Sequence, residues 1–208
     1  MVEFKGGTRM KEIIMATNNE GKVKEMQMLF DELNIQVKAL KDVFEQPIDI
    51  EETGTTFEEN AKIKAEAICE MTGKMVIADD SGLEIDALNK EPGVQSARFL
   101  GHDTPYDIKN NYLLELLRGQ TQRTARYVCA MAIAIPNQET VVFRETMEGE
   151  IALKASGTNG FGYDPIFYFP LVKKTAAQMN LEEKNLYSHR AKATRHVLEM
   201  IKEMKQGE

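Results

Sequence analysis

Six residues, Gly160-Phe161-Gly162-Tyr163-Asp164-Pro165, place two glycines, two aromatic rings, a carboxylate and a proline between apolar segments. Glycine lets the backbone approach a ligand, the rings offer a stacking surface, and the carboxylate accepts hydrogen bonds. That equipment suits a planar heterocycle such as a nucleobase, and it equally suits a tight turn capped by aromatic core residues. Two pairs of adjacent acids, Glu51-Glu52 and Asp79-Asp80, offer a different chemistry. Neighbouring carboxylates repel unless a cation or hydrogen bonds offset their charge. Hard oxygen donors suit Mg²⁺, which commonly takes one or two protein carboxylates and completes its shell with phosphate oxygens and water. Asp79-Asp80 is expected at the end of a strand, where it either caps the turn at Ser81-Gly82 or helps to hold such a cation.

A further polar cluster, Thr17-Asn18-Asn19-Glu20-Gly21-Lys22, has the order strand, turn, helix. A helix start presents unpaired backbone N–H groups and a positive dipole end to an anion, and Lys22 adds a point charge. It is not a P-loop: the first glycine is missing, and Val23 stands where a magnesium-holding Ser or Thr would be. The last cluster joins Lys184 to Ser188-His189-Arg190. Ser188 suits the N-cap of a final helix, which puts His189 and Arg190 in the first turn, where the dipole disfavours cations. Their placement points to an anion or an electron-rich ligand edge nearby. Lys64, on the second helix, either faces solvent or reaches phosphates. His102 and His196 have no sequence partner suggesting a metal or a triad and read as surface or loop residues. No nucleophile elbow, Cys-His pairing or zinc-ligand spacing occurs, which argues against a covalent hydrolase.

The elements that must position these groups follow from periodicity and punctuation. Strands are expected at 11–17, 35–40, 75–78, 83–88, 124–135, 140–147 and 166–169. Helical spacing covers 22–33 through Val23, Met26, Leu29, Phe30 and Leu33. Thr56 followed by Glu59 reads as a capping box that starts a helix ending near Gly73. Helices are also expected over 104–117 and from His189 to Lys205. Strands alternating with helices and then a hairpin indicate an α/β fold with a mixed sheet, in which ligands bind outside strand carboxyl ends.

The 208 residues suffice for one domain of real core volume, with 42% hydrophobic and 28% charged residues. A net charge of −7 argues against general binding to nucleic-acid backbones, and no apolar run is long enough to span a membrane. Met1 to Arg9 is polar, without the apolar stretch of a signal peptide, and residues 1–10 read as a disordered extension. The two cysteines, Cys69 and Cys129, read as reduced core residues, and the cytoplasm is the expected compartment.

Taken in order, these stretches resemble the inosine triphosphate pyrophosphatase family. The similarity rests on Ala16 to Lys22, Glu51 to Phe57 with Glu59-Asn60-Ala61, Lys64-Ala65, Ala78 to Leu83, Pro92-Gly93 with Ser96-Ala97-Arg98, Gly157 to Pro165, Glu183-Lys184 and Ser188-His189-Arg190. It spans residues 11 to 205. The resemblance implies an elongated twisted mixed sheet flanked by helices, one domain of two lobes with a central cleft, and a homodimer. It implies Mg²⁺-dependent hydrolysis of inosine, deoxyinosine and xanthosine triphosphates between the α- and β-phosphates. By position, Thr17, Asn18, Asn19, Glu20, Gly21, Lys22 and Lys64 match phosphate contacts. Asp80 matches the general base and metal ligand, supported by Glu51 or Glu52, with Ser81 touching substrate. Phe161, Gly162, Tyr163, Asp164, Lys184, His189 and Arg190 match the wall around the base. A phosphatase of small phosphate esters and a non-catalytic nucleotide sensor are the competing readings; product analysis separates the first, and binding without turnover marks the second.

Overall fold

Apolar residues alternate along β4 (Thr124–Ala134), so that one strand feeds two cores. Cys129, Met131 and Ile133 face one layer of helices, while Val128, Ala130 and Ala132 face another. The structure, a computed structural model, describes residues 11–206, so the extension expected at 1–10 lies outside the described residues. Among them, a seven-stranded sheet has the order β2-β1-β3-β4-β5-β6-β7. β1 (Glu12–Met15), β2 (Gln36–Lys38) and β3 (Val76–Ile85) run parallel. β4, β5 (Val141–Ile151), β6 (Phe167–Phe169) and β7 (Lys174–Thr175) continue the sheet antiparallel. The expected mixed α/β sheet is what forms.

α1 (Glu20–Phe30) and α5 (His189–Gln206) cover one face, burying Met26, Phe30, Val197 and Leu198 against Met15 and Ile77. α2 (Phe57–Thr72) covers the other, setting Ala61 and Ala65 on Ala78, Ala130 and Ala132. Thr56 and Glu59 form the expected capping box, and Gly73 ends α2 in a left-handed conformation at φ 62°. A third core under the aromatic loop packs Leu113 of α3 (Tyr106–Leu116) against Ile85, Tyr163 and Phe167. The short α4 (Leu181–Tyr187), which periodicity did not reveal, leads directly into α5. No helix among the described residues is long and apolar enough to cross a membrane.

One expectation is corrected. The strand does not end at Asp79-Asp80; β3 runs through them to Ile85, paired throughout with β4. The carboxylates therefore sit mid-strand, and successive side chains point to opposite faces of a sheet. Asp79 joins the α1/α5 side and Asp80 the α2 side. The backbone, rather than a cation between them, separates their charges.

Candidate active site

β1 is paired to β3 at Ile14 with Val76 and at Met15 with Ile77, and that pairing ends at the carboxyl end of β1. A cleft of about 670 Å³ opens there, of the size that takes a small ligand. Its floor is β3, one wall is the turn into α1, and the other is formed by α2 with the 48–52 loop.

The turn into α1 is held by its own polar side chains. Thr17 Oγ1 accepts from Asn19 N at 3.1 Å, Asn19 Oδ1 caps α1 by accepting from Lys22 N at 3.2 Å, and Asn18 Oδ1 accepts from Lys41 N at 3.1 Å. Thr17, Asn18, Asn19 and Lys22 all line the cleft. Glu20 and Gly21 do not. Glu20 turns outward to an exposed ion pair with Lys41, and Gly21 supports Phe161, whose ring lies where a Cβ would stand, 2.6 Å from it.

On the α2 side, Asp80 is buried, and its Oδ2 accepts from Asn60 Nδ2 at 3.2 Å. Lys64 Nζ lies 3.6 Å from Asp80 Oδ1 and 2.5 Å from Glu52 Oε1, so Lys64 faces the cleft rather than solvent. Burial, aided by Glu52, pushes the Asp80 carboxyl above the usual range against the pull of Lys64 and Lys22. Glu52 behaves oppositely: burial raises it, but Lys64 and then Arg98 outweigh that and hold it low. Glu51 is exposed at the rim. Among the described residues, no three acids, imidazoles or thiols gather into a complete metal cage. A partial set of hard oxygens at Asp80 and Glu52 fits Mg²⁺, which needs only one or two carboxylates when phosphate and water complete its shell.

On the other face lies a buried charge network. Arg190 donates from Nε and Nη2 to Asp79 Oδ2, both at 3.1 Å, and from Nη1 to Glu25. Lys22 Nζ stands 3.0 Å from Asp79 Oδ1. Burial raises Asp79, but Lys22, Arg190 and Lys64 outweigh it and keep it ionised far below the ordinary range. Lys184 Nζ donates to Glu25 at 2.8 Å and to Asp164 Oδ2 at 2.6 Å. The cations at the start of α5 are thus compensated by buried carboxylates, which revises the expectation of a ligand anion beside them. Ser188 caps that helix, accepting from Ala191 N at 3.1 Å. Ser81 donates to Asp79 at 2.8 Å while lining the cleft.

The aromatic loop forms the end wall. Asp164 is buried and builds the loop from inside, accepting from Phe161 N at 2.9 Å and from Tyr127 Oη at 3.1 Å. Phe161 carries Lys184 Nζ 5.0 Å and the Arg190 guanidinium 5.7 Å from its ring centroid. Tyr163 is buried and donates to Ser96 O at 2.7 Å, and it lines the cleft together with Phe161, Gly162 and Asp164. His189 stacks on Tyr127 at 4.8 Å, and among the described residues its buried Nδ1 has no hydrogen-bond partner. Burial, reinforced by Arg190 and Lys184, keeps this imidazole neutral. A neutral ring with an unpartnered nitrogen, beside an aromatic face, has the hydrogen-bonding capacity to serve a planar base. His196 lies elsewhere, 2.8 Å from Glu145 and stacked on Phe143. His102 is exposed at the cleft rim.

Glu25 and Tyr127 were not singled out by sequence, and Asn60 and Arg98 stood only within the stretches that carry the family resemblance, without a role; signals existed for two of the four. Asn60 precedes Lys64 by one helical turn and Glu25 follows Lys22 by three residues, spacings that share a helix face.

A Ham1 family model matches residues 13–200. The dITP/XTP pyrophosphatase of Exiguobacterium sp. is 49% identical over 183 residues, covering 88% of this chain and 93% of the relative. That of Geobacillus kaustophilus is 49% identical over 201 residues, covering 95% and 98%. The solved Ham1 protein of Staphylococcus aureus superposes with a TM-score of 0.81 at 44% identity, over 94% of this chain and all of that one. A HAM1 protein from Coxiella burnetii gives 0.83 at 41%, over 93% of this chain. With the family match spanning most of the sequence and both sequence and fold agreeing over nearly whole chains, this protein belongs to the Ham1 family.

Proposed function

We propose that this protein hydrolyses deaminated purine nucleoside triphosphates (inosine, deoxyinosine and xanthosine triphosphates) to the monophosphate and pyrophosphate. One observation carries the reading: a single cleft joins Asp80 and Lys64 at one end to Phe161 and the neutral His189 at the other. The names of the relatives, dITP/XTP pyrophosphatases aligned over nearly their whole length, support it.

In this mechanism Lys22, Lys64 and the turn formed by Thr17, Asn18 and Asn19 hold the triphosphate. Mg²⁺, held by Asp80 with Glu52 or Glu51, supplies charge neutralisation at the phosphate oxygens when bound. Asp80 takes the proton from the water that attacks at the α–β anhydride, and burial, which raises its affinity for protons above that of an ordinary aspartate, favours that role. The lysines stabilise the charge that develops on pyrophosphate as it leaves. At the other end the base stacks on Phe161. A 6-oxo group accepts from donors around His189 and the loop backbone, whereas the amino group of adenine leaves them unpaired, and such mismatches discriminate strongly. The buried Glu25-Lys184-Asp164-Arg190 network holds that wall rigid. The domain works as two lobes about the cleft, as a cytoplasmic homodimer.

The test is product release from a panel of purine triphosphates, with and without Mg²⁺. Pyrophosphate from inosine and xanthosine triphosphates, little from adenosine triphosphate, and none without a divalent cation is the expected pattern. Inorganic phosphate with a diphosphate would reject the bond assignment and favour a phosphatase. Tight nucleotide binding with no turnover would make the protein a sensor.

A further inference from the structure

Lys109, near the start of α3, is only 1% exposed, yet among the described residues no carboxylate pairs with it. Its Nζ donates to Ala97 O at 2.7 Å and stands 4.9 Å from the centroid of the Tyr106 ring. Burial lowers its affinity for a proton. An ammonium taken out of water without an opposite charge costs folding free energy, and an apolar chain of the same length would fill the space without that cost. Ala97 is itself exposed, so its carbonyl has water within reach and does not require the ammonium. Packing of α3 alone therefore gives no reason for a charge at this point.

What the ammonium joins supplies the reason. Tyr106, Lys109 and Asn110 stand three and four residues apart and share one face of the helix. Tyr106 meets Tyr163 edge-on, with ring centroids 5.2 Å apart, and Asn110 Nδ2 donates to Gly162 O at 3.1 Å. Those two contacts grip the aromatic loop, while Lys109 reaches the other way, to the segment after β3. Tyr163 closes the circuit by donating to Ser96 O at 2.7 Å, next to the carbonyl that Lys109 holds. Ser96, Ala97, Tyr106, Gly162 and Tyr163 all line the cleft, and Lys109 does not. A hydrogen bond from a charged donor is about twice as strong as a neutral one, which suits it to fixing a position. We propose that Lys109 is a positioning residue: by drawing Ala97 O toward α3, it holds the 96–97 segment and the aromatic loop at one spacing and so sets the width of the cleft where the base enters. It acts through backbone and touches no part of the ligand. This role rests on the cleft taking a purine nucleotide.

Wild type, Lys109→Met and Lys109→Gln are compared by calorimetric titration with inosine monophosphate and with inorganic tripolyphosphate, alongside urea midpoints and pyrophosphate release from inosine triphosphate. Lys109→Met keeps the length and loses the charge, and it is expected to weaken monophosphate binding by about fivefold or more. Tripolyphosphate binding should stay within about twofold, because Lys22 and Lys64 stand on α1 and α2, apart from α3. KM for inosine triphosphate should rise by about fivefold or more while kcat stays within about threefold. Lys109→Gln, a shorter neutral donor, should fall between. The urea midpoint of Lys109→Met should hold or rise, since an unpaired buried charge is gone; a lysine that served packing alone would lower it. Monophosphate affinity unchanged in Lys109→Met, with wild type releasing pyrophosphate normally, overturns the role of Lys109 alone. Equal losses for the two probes, or a midpoint that falls with them, overturn it as well. A wild type that binds neither probe and releases no pyrophosphate overturns the nucleotide reading and the role of Lys109 with it.

Discussion

Replacing Asp79 and Asp80 by asparagine, one at a time, should move stability and activity in different directions although the residues are neighbours. Asp79 is fully enclosed, with Lys22 Nζ 3.0 Å from one oxygen and Arg190 donating twice at 3.1 Å to the other. Removing one member of a buried ion pair costs about 3–5 kcal/mol, because the partner is left uncompensated. In Asp79→Asn, Arg190 keeps Glu25 and Lys22 keeps access to the cleft, so the lower end, ~3 kcal/mol, is expected. With a urea slope of about 2 kcal/mol per molar, the midpoint falls by about 1.5 M. For a domain whose total stability is about 5–15 kcal/mol, that is a large fraction. Asp80 differs because burial first, and then Glu52, raise its carboxyl above the usual range against the pull of Lys64 and Lys22, so the fold gains less from its charge. A neutral amide there removes nothing the fold requires, so the Asp80→Asn midpoint should equal or exceed that of wild type. Its turnover should nevertheless fall by about 10²–10⁴-fold, the contribution of a positioned base. The chain lacks tryptophan, so far-UV circular dichroism in urea at pH 7 is the natural readout, alongside pyrophosphate release. An Asp79→Asn midpoint close to wild type, or an equal loss in Asp80→Asn, would refute the assignment of the two side chains to opposite faces.

Other outcomes follow from the same geometry. Because burial keeps His189 neutral, the unfolded chain takes up a proton that the folded chain refuses below about pH 6.5, so this contribution is complete above that pH and lost beneath it, with a slope of up to ~1.4 kcal/mol per pH unit. His189→Gln should flatten the urea midpoint between about pH 5 and 6.5, and an unaltered slope would exclude a buried neutral imidazole. Tyr127→Phe keeps the stacking on His189 but removes the hydroxyl 3.1 Å from Asp164, costing about 1–2 kcal/mol. That variant should lower kcat/KM for inosine triphosphate while leaving pyrophosphate inhibition unchanged; weakened pyrophosphate binding would place Tyr127 at the wrong end of the cleft. Gly160 has φ 73°, and a Cβ there would stand 2.0 Å from Asp164 Oδ2, so Gly160→Ala must displace the carboxylate that Lys184 and Phe161 N hold. A nucleotide KM raised by about tenfold or more is expected from the lost wall, and a wild-type KM would show the loop to be dispensable.

Local signals in the sequence were read well where physics is local. The capping box at Thr56 and Glu59 and the glycine that ends α2 follow from backbone groups only a few residues apart. The continuous apolar run from Val128 to Ile135 marked a buried strand, and the hairpin to β5 followed from Pro136 to Glu139 between apolar runs. The sequence was misleading where long-range pairing decides. Asp79-Asp80-Ser81-Gly82 has the composition of a turn, yet an antiparallel partner from Ala125 to Ala134 holds it extended. α4 is too short for its periodicity to show, and β7 too brief to register as a strand. In the site, the residues facing the cleft were legible as clusters, whereas those bracing it from behind were not. Glu25 is an acid on an amphipathic helix, and nothing local says that Lys184 and Arg190, far along the chain, will close on it.

The alanines between α2 and the sheet set a tolerance for the chemistry. Ala61 and Ala65 of α2 share one core layer with Ala78, Ala130 and Ala132 of the sheet, so small side chains line much of that seam between helix and strands. Asn60 and Lys64 ride on that same helix, so their reach toward Asp80 is fixed by how closely two backbones approach. An added methylene in this layer would lift the whole helix and lengthen both contacts together. The electrostatic tuning of the carboxylate is in this sense a matter of core volume, adjustable from positions that never meet a nucleotide.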